Sequence, residues 1–286
     1  MAENISIIGG DLRIVKLAEM LAKDKYKIKT FAIENADCEL KKCNTIKEAV
    51  QNTDIVIGPI PLSKNNTQIN TPFSDKTITI EELAKELRGK KFIAGSIKKE
   101  FYEYAKKYQI ETIDILEREE LAILNTIATA EGAIQIAMEE TKKTLHSSNV
   151  LVLGFGRVGK ILANKLKQIG PNLYCTARKN VDLAWIKAYG YNVIPIENLN
   201  ENLNKFDIII NTIPALILKE KELTNINKEC LIIDLASIPG GIDQNIAKKQ
   251  GKKVIWALAL PGKVAPLTSA EYIKDTLYNI MKENKS

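Results

Sequence analysis

The chain has 286 residues, of which 45% are apolar and 27% are charged, and its formal net charge at pH 7 is +6. This length favours two domains, and these proportions are typical of globular proteins with sizeable cores. The sequence has no long apolar run and no secretion signal, so we expect no membrane span and no export. Its basic residues are dispersed and not interleaved with aromatics, which argues against nucleic-acid binding and suits small anionic ligands.

The cysteines form no Cys-x-x-Cys pair, so we expect neither a metal site nor a disulfide framework. Cysteines beside apolar strands behave as small buried hydrophobes, which indicates a reducing compartment. The four are Cys38, Cys43, Cys175 and Cys230.

In the first half of the chain, short β-branched runs alternate with helical patterns, which predicts a parallel sheet with helices on both faces. Strands are predicted at 5–8, 28–33, 54–57, 92–94 and 111–113, and helices at 12–21, 80–87 and 98–108. Residues 58–75 interrupt the pattern with three prolines and no period. We expect this segment to be a loop that lines or covers a site.

A helical pattern over 130–145 follows, with Thr129 as its predicted N-cap, and we interpret it as a bridge between two domains. A second series of strands and helices comes next. Its strands are predicted at 149–153, 172–176, 192–194, 207–211, 230–234 and 253–257, and its helices at 158–169 and 183–189. A last helix is predicted after Pro266, with Thr268 and Glu271 as a capping box.

These patterns predict an α/β protein with two doubly wound parallel-sheet domains, the second a Rossmann dinucleotide-binding domain. The expected boundaries are 1–127 for the first domain and 128–267 for the second. The C-terminal helix, 268–286, is expected to join the first domain.

The strongest motif is a G-x-G-x-x-G run between a predicted strand and a predicted helix. Gly154 permits a tight turn, Gly156 lets the backbone approach a pyrophosphate, and Gly159 allows the helix to pack close to the sheet. Arg157 and Val158 lie in the first turn of that helix, where free N–H groups attract phosphate. The alternative is a glycine turn in a Rossmann-like domain that binds nothing.

The next strand distinguishes between the two nicotinamide cofactors. NAD-binding domains usually end this strand with an acidic residue that holds the ribose 2′-hydroxyl. Here Thr176 is followed by Arg178 and Lys179, which suit the 2′-phosphate of NADP. The alternative is an exposed basic turn, and the prediction is NADP(H).

Three later strand ends belong to the edge where the cofactor is expected, because ligands lie outside the carboxyl ends of parallel strands. Ordinary turns would have a similar composition. The cofactor candidates there are Thr212, Ile213 and Pro214, then Asp234, Leu235 and Ala236, and finally Leu260 and Pro261.

Substrate binding is predicted in the first domain, also at strand ends. Gly10 and Asp11 follow the first strand, with Arg13 available for a carboxylate, and Pro59 and Ser96 follow later strands. Asp11 is equally interpretable as a helix N-cap.

The catalytic residues are less clearly indicated. The single histidine, His146, precedes a strand and is interpreted as structural or exposed, which disfavours a histidine–carboxylate proton relay. An acid or base is then expected from Glu131, Lys263, Ser237, Asp11 or water. No metal is predicted.

Several motifs resemble the family of dipicolinate synthase A subunits over nearly the whole chain. They are the Gly9-Gly10-Asp11-x-Arg13 turn, residues 116–125, residues 129–134, the run at 152–157 and the late Leu-Pro-Gly-Lys-Val-Ala-Pro run at 260–266.

The resemblance implies a Rossmann domain behind a smaller α/β domain, and the flavoprotein-like B subunit of dipicolinate synthase as partner in a homo- or hetero-oligomer. It also implies NADP-dependent oxidation of a dihydrodipicolinate-type intermediate of the lysine pathway, in the mother-cell cytoplasm of a sporulating bacterium. Aromatisation would drive that step, and Arg13 and Lys263 are then candidate clamps for a small dicarboxylate. Two alternatives stay open: a dehydrogenase of another small carboxylate, and a non-catalytic NADP-binding subunit.

Overall fold

The computed structural model describes residues 4–283, and its chain divides into two compact units. Unit 1 comprises the residues up to Leu124 together with those from Ala265 onward, and unit 2 comprises Asn125–Val264. The boundaries expected from the sequence were 127/128 and 267/268.

Unit 1 contains a parallel sheet of six strands in the order β3-β2-β1-β4-β5-β6. Its strands are β1 (Asn4–Ile8), β2 (Lys27–Phe31), β3 (Lys41–Lys42), β4 (Ile55–Ile57), β5 (Lys91–Ala94) and β6 (Glu111–Asp114). Its helices are α1 (Leu12–Lys23), α2 (Ile46–Val50), α3 (Ile80–Glu86) and α4 (Lys99–Tyr108). A longer helix, α5 (Glu119–Glu140), begins in this unit and continues into unit 2.

Local signals set the ends of these helices. Asp11 caps α1 by accepting a hydrogen bond from the Arg13 amide, and Thr79 and Glu82 form a capping box at the start of α3. Each cap satisfies helical N–H groups that otherwise lack partners.

Unit 2 contains a second six-stranded parallel sheet, in the order β12-β11-β10-β7-β8-β9. Its strands are β7 (Asn149–Leu153), β8 (Asn172–Ala177), β9 (Asn192–Pro195), β10 (Ile208–Asn211), β11 (Leu231–Asp234) and β12 (Lys253–Trp256). Its helices after α5 are α6 (Arg157–Ile169), α7 (Asn180–Ala188), α8 (Leu199–Asn202), α9 (Glu220–Asn225), α10 (Gln244–Lys249) and α11 (Leu260–Val264).

Counted along the chain, both sheets have the strand order 3-2-1-4-5-6, that of the Rossmann fold. The prediction of two doubly wound parallel sheets, the second a Rossmann domain, is confirmed. The final helix, α12 (Pro266–Glu283), belongs to unit 1 and packs on α1. Ile273 and Leu277 of α12 share a buried cluster with Leu17 of α1.

Two predicted helix starts are wrong. Thr129 is not an N-cap, because α5 already begins at Glu119 and the Thr129 hydroxyl donates to the Asn125 carbonyl inside the helix. Thr268 and Glu271 form no capping box, because α12 starts two residues earlier than Thr268, at Pro266. Proline is favoured at the first position of a helix, because the N–H group that it lacks would have no partner within the helix there.

The predicted helix over 130–145 also extends too far, because α5 ends at Glu140. The short elements β3, α2, α8, α9, α10 and α11 escaped the sequence analysis, since each spans two to six residues and shows no full period.

Helix α5 is long and apolar enough, by length and composition alone, to cross a membrane. A core helix passes the same test, and 44% of its most apolar window is buried inside the protein.

Among residues 4–283 no group of three metal-ligating side chains occurs, and the four cysteines are free. Burial raises the pKa of Cys175 and of Cys230 to about 12, so both thiols stay protonated near neutral pH.

Candidate functional site

The strand ends of unit 2 form one row at the carboxyl edge of the sheet. Leu153 of β7 pairs with Thr176 of β8 on one side and with Asn211 of β10 on the other. Asn211 in turn pairs with Asp234 of β11, and Asp234 with Trp256 of β12. The turns that follow these strands therefore line the edge where ligands of α/β folds bind.

The glycine turn after β7 has the tight geometry that its motif predicts. Gly154 has φ +96, and a Cβ on it would lie 2.6 Å from the Thr212 hydroxyl oxygen. A Cβ on Gly159 would lie only 2.2 Å from the Gly154 carbonyl oxygen, so α6 packs directly against the turn. Neither position accepts a side chain without displacing its neighbours.

The second glycine faces open space instead. Gly156 is the N-cap of α6, it is exposed, and a Cβ placed on it would meet no atom within 4 Å. The N-cap residue Gly156 has no side chain with which to cap the first turn of α6. Uncapped N–H groups and the positive end of the helix dipole attract anions, so this turn has the chemistry to hold a phosphate group.

Arg157 is exposed and Val158 half-buried at the start of α6. Both lie in the first turn of the helix, whose amides point toward that open space.

The end of β8 carries two exposed cations. Thr176 is fully buried and its hydroxyl has no hydrogen-bond partner, whereas Arg178 and Lys179 are exposed between β8 and α7. Within the described part of the chain, no hydrogen bond or ion pair engages either cationic side chain. Both are free to bind a phosphate.

The turn after β10 is held by the glycine turn. The Thr212 hydroxyl and amide both donate to the Leu153 carbonyl, at 2.8 and 2.9 Å. Thr212 and Ile213 are half-buried, while Pro214 is exposed. A ligand lying across this edge would reach Pro214 before it reached the other two side chains.

The remaining cofactor candidates are mostly turned inward. Asp234 is fully buried, Ala236 is 3% exposed and Leu260 is 4% exposed, whereas Leu235 and Pro261 are half-buried. Leu260 and Pro261, predicted as cofactor candidates after the last strand, begin the short helix α11.

The predicted catalytic residues of unit 2 differ in exposure and in hydrogen bonding. Glu131 lies on α5 and its carboxylate accepts a 2.8 Å hydrogen bond from Lys165 of α6. Ser237 and Lys263 are exposed, in the turn after β11 and on α11. His146 is exposed, and its Nδ1 lies 3.3 Å from the Ile169 carbonyl, on the side of the sheet where β7 begins rather than at a carboxyl strand end.

In unit 1 the predicted substrate turn is closed by its own side chains. Asp11 is the N-cap of α1, and it also accepts two hydrogen bonds from the Arg13 Nε and a third from Nη2 at 2.7 Å. Arg13 is 7% exposed, and its Nη2 also donates to the Ile60 carbonyl. The N-cap interpretation of Asp11 is the one that the structure shows.

The loop predicted over 58–75 packs against this turn. The Gly10 amide donates to the Asn70 carbonyl at 2.9 Å, and Pro59 is buried beside Gly9. Ser96 is half-buried with φ +55, a backbone conformation that residues other than glycine rarely adopt.

Asp114, Asn211 and Gly241 help to hold these turns and were not among the predicted site residues. Asp114 accepts the amides of Ser96 and Ile97 at 3.1 and 2.7 Å. In unit 2 the Asn211 amide group and the Gly241 amide both donate to Asp234. Polar residues at the last position of apolar strands were the available signal.

Two family descriptions match the chain. Residues 4–116 match the N-terminal domain of the dipicolinate synthase A subunit, and residues 135–256 match shikimate/quinate 5-dehydrogenase. Among solved structures, a transhydrogenase from Sinorhizobium meliloti has a TM-score of 0.73 at 14% identity, covering 98% of this chain and 93% of the other, which shows the fold alone. Folds of this dehydrogenase type imply a nicotinamide dinucleotide cofactor.

The chain is also similar, over nearly its whole length, to A subunits of dipicolinate synthase. The Bacillus subtilis (strain 168) protein is 32% identical over 284 residues, covering 98% of this chain and 96% of the relative. The crystal structure of the A subunit from Bacillus halodurans has a TM-score of 0.90 at 32% identity, covering 97% of both chains. The predicted resemblance is confirmed, and the chain belongs to the family of dipicolinate synthase A subunits.

Proposed function

We propose that this protein is an NADP-dependent oxidoreductase that converts a dihydrodipicolinate-type intermediate of the lysine pathway to dipicolinate. The observation that carries the proposal is the open, uncapped start of α6 at Gly156, in a chain that matches its Bacillus subtilis relative from end to end. An uncapped helix start with room for a ligand is the feature that distinguishes a pyrophosphate site from an ordinary turn.

NADP rather than NAD is supported by the end of β8. The four residues that follow this strand contain no acidic side chain, and the first carboxylate after it is that of Asp182 in α7. Arg178 and Lys179 are exposed, and a guanidinium pairs well with a phosphate dianion.

The proposed reaction requires few chemical groups from the protein. Bound NADP⁺ supplies the hydride acceptor, and loss of one proton from the dihydropyridine completes the aromatic ring. We assign carboxylate binding to the exposed Lys263, because the Arg13 guanidinium is buried and bonded to Asp11.

The proton acceptor is assigned to Ser237 or water, because Lys263 is assigned to carboxylate binding and the Glu131 carboxylate is already bonded to Lys165. Gly10, Pro59 and Ser96 remain proposed substrate contacts. The buried or half-buried cofactor candidates are proposed to contribute only backbone groups.

The relative is named as one subunit of a synthase, which implies a partner, and we propose that this partner is the B subunit. We also propose a soluble enzyme of the mother-cell cytoplasm during sporulation.

The decisive test incubates the full chain and the B subunit with the lysine-pathway intermediate and NADP⁺. Dipicolinate and NADPH are expected in equal amounts by chromatography and absorbance. NADPH binding with no product would favour a non-catalytic role, and turnover of another carboxylate would redefine the substrate.

Cofactor choice is tested separately with Arg178→Ala. Loss of one charge-assisted contact at an exposed site is expected to weaken NADPH binding about tenfold and to change NADH binding less than about twofold. Lys187→Ala, which removes another exposed cation from α7, is the matched control and should alter neither affinity. Calorimetry measures both. Equal losses for the two cofactors would refute the 2′-phosphate contact.

A further inference from the structure

Asp234 at the end of β11 is a buried carboxylate with three hydrogen-bond donors. Its side chain is 0% exposed. Oδ1 accepts from the Asn211 Nδ2 at 2.8 Å and from the Ala236 amide at 3.1 Å, and Oδ2 accepts from the Gly241 amide at 2.8 Å. A buried charge is tolerated only when donors satisfy it in this way.

The first of those donors extends the network to the neighbouring turn. The Asn211 Nδ2 also donates to the Ile213 carbonyl, and its Oδ1 accepts from the Ile213 amide, both at 3.1 Å. The amides of Ile217 and Leu218 donate to the Gly241 carbonyl. One carboxylate therefore connects the turn after β10 with the turn after β11.

No ligand can reach this carboxylate. A Cβ on Gly241 would lie 2.1 Å from the Asn211 Nδ2, and one on Gly240 would lie 3.0 Å from the Asp234 Oδ2. On the other side, Trp256 of β12 donates its indole N–H to the Ala236 carbonyl at 2.8 Å. The space around Asp234 is filled by its own hydrogen-bond partners and their neighbours.

The position of the two turns gives this network a functional consequence. A dinucleotide lies across the strand ends, with one mononucleotide on each half of the sheet. The glycine turn and Arg178 belong to the β7–β8 half, and the turns tied by Asp234 belong to the β10–β11 half. A dinucleotide bound here would meet the glycine turn and Arg178 with one half and the turns tied by Asp234 with the other.

We propose that Asp234 is a positioning residue that holds the turns after β10 and β11 in the geometry required by the nicotinamide half of the cofactor. The inference rests on the proposed cofactor function. Asp234 does not contact the cofactor itself but acts through its hydrogen-bond partners Asn211, Ala236 and Gly241. An N–H group in place of either oxygen would face a donor, so the turns would have to move.

The test compares two ligands on Asp234→Asn. NADPH has both halves, whereas 2′-phospho-ADP-ribose lacks nicotinamide. We expect NADPH affinity to fall about tenfold, the cost of roughly one strong buried hydrogen bond, while 2′-phospho-ADP-ribose affinity changes less than about twofold. In turnover, kcat is expected to fall more than the KM for NADP⁺ rises, because nicotinamide orientation matters most for hydride transfer.

Asp243→Asn is the matched control. Asp243 follows the same turn and only caps α10, accepting the Asn245 and Ile246 amides, so neither ligand affinity should change. Trp256→Phe is a milder second variant that removes the bond to the Ala236 carbonyl together with part of the ring beside Gly240. It should weaken NADPH binding about threefold, again without affecting 2′-phospho-ADP-ribose.

Equal losses for the two ligands, or unchanged NADPH affinity in both variants, would overturn the positioning role. If Asp234→Asn fails to fold, the Trp256→Phe comparison decides alone. Binding of neither ligand to the unaltered protein would reject the cofactor assignment itself, and the inference with it.

Discussion

The two units share a strand order but differ at the turn after their first strand. Each turn begins with a glycine at positive φ, Gly9 at +59 and Gly154 at +96. Each glycine amide donates to the neighbouring strand, Gly9 to the Phe31 carbonyl and Gly154 to the Thr176 carbonyl. Up to this point the two turns are built in the same way.

They diverge at the helix that follows. The N-cap of α1 is Asp11, whose carboxylate occupies the start of the helix, whereas the N-cap of α6 is Gly156, which leaves it open. Three residues beyond each cap, unit 1 has the buried Ile14 and unit 2 has Gly159. Topology therefore does not decide whether such a turn leaves room for an anion. The side chains at two positions do.

The largest expected effect comes from giving unit 2 the cap of unit 1. Gly156→Asp places a negative charge about 5 Å from the proposed pyrophosphate, which costs about 3 kcal/mol and weakens NADPH binding more than about 100-fold. The fold should tolerate it, since nothing lies within 4 Å of the new Cβ. Calorimetry measures the affinity. Gly156→Asn, neutral and nearly the same size, should lose much less, and an equal loss would show that bulk rather than charge closes the turn.

An intermediate effect is expected from removing the side chain that closes the turn of unit 1. Asp11→Ala removes the cap of α1 and leaves the Arg13 guanidinium without its carboxylate, so the free energy of unfolding should fall by about 2–3 kcal/mol in urea denaturation. NADPH affinity should stay the same. The control Glu19→Ala breaks a partly exposed pair with Lys16 on the same helix and should cost less than about 0.5 kcal/mol. Similar losses in the two variants would contradict a special role for the closed turn.

The smallest effect concerns an aspartate that recurs just before the fourth strand of each unit. Asp207 accepts the Asn149 amide in unit 2, and Asp54 accepts the Asn4 amide in unit 1. Burial tends to raise the pKa of Asp207, but hydrogen bonds from Lys143 and from the Asn149 amide outweigh it and hold the pKa below its usual value.

A lowered folded-state pKa stabilises the protein above the unfolded value, and this contribution is lost as the pH falls through the folded one. Asp207→Asn should therefore lower the free energy of unfolding by about 1 kcal/mol at pH 7, with the difference from the parent vanishing in acid. Asp54→Asn should cost less than about 0.5 kcal/mol, because Asp54 is exposed. Urea titrations across pH measure both. A difference for Asp207→Asn that persists in acid would exclude the ionised carboxylate as its source.

Most of the fold was predictable because β-branched runs and helical periods are local features. The β7 turn is the clearest case, since Gly154, Gly156 and Gly159 follow from spacing alone and the structure gives each its expected surroundings. Short helices such as α9 and α10 were not predictable, because six residues are too few to show a period.

The candidate site was only partly predictable, because sequence cannot show where a side chain makes its hydrogen bonds. Arg13 looked like a free cation and is bound to Asp11, and Glu131 looked like a base and is bound to Lys165. Arg178 is exposed, which both the 2′-phosphate interpretation and the alternative of an exposed basic turn predict.

By itself the sequence determined the alternation of strands and helices, the glycine turn and the family, because all three depend on local spacing and residue type. Only the tertiary structure decided which polar groups remain available. Asp11 and Asp234 were both placed beside a ligand by their positions after strands, yet one caps a helix and the other is buried under two turns. The reason is that a buried polar atom takes whichever partner folding brings within reach, and that partner is often remote in the chain.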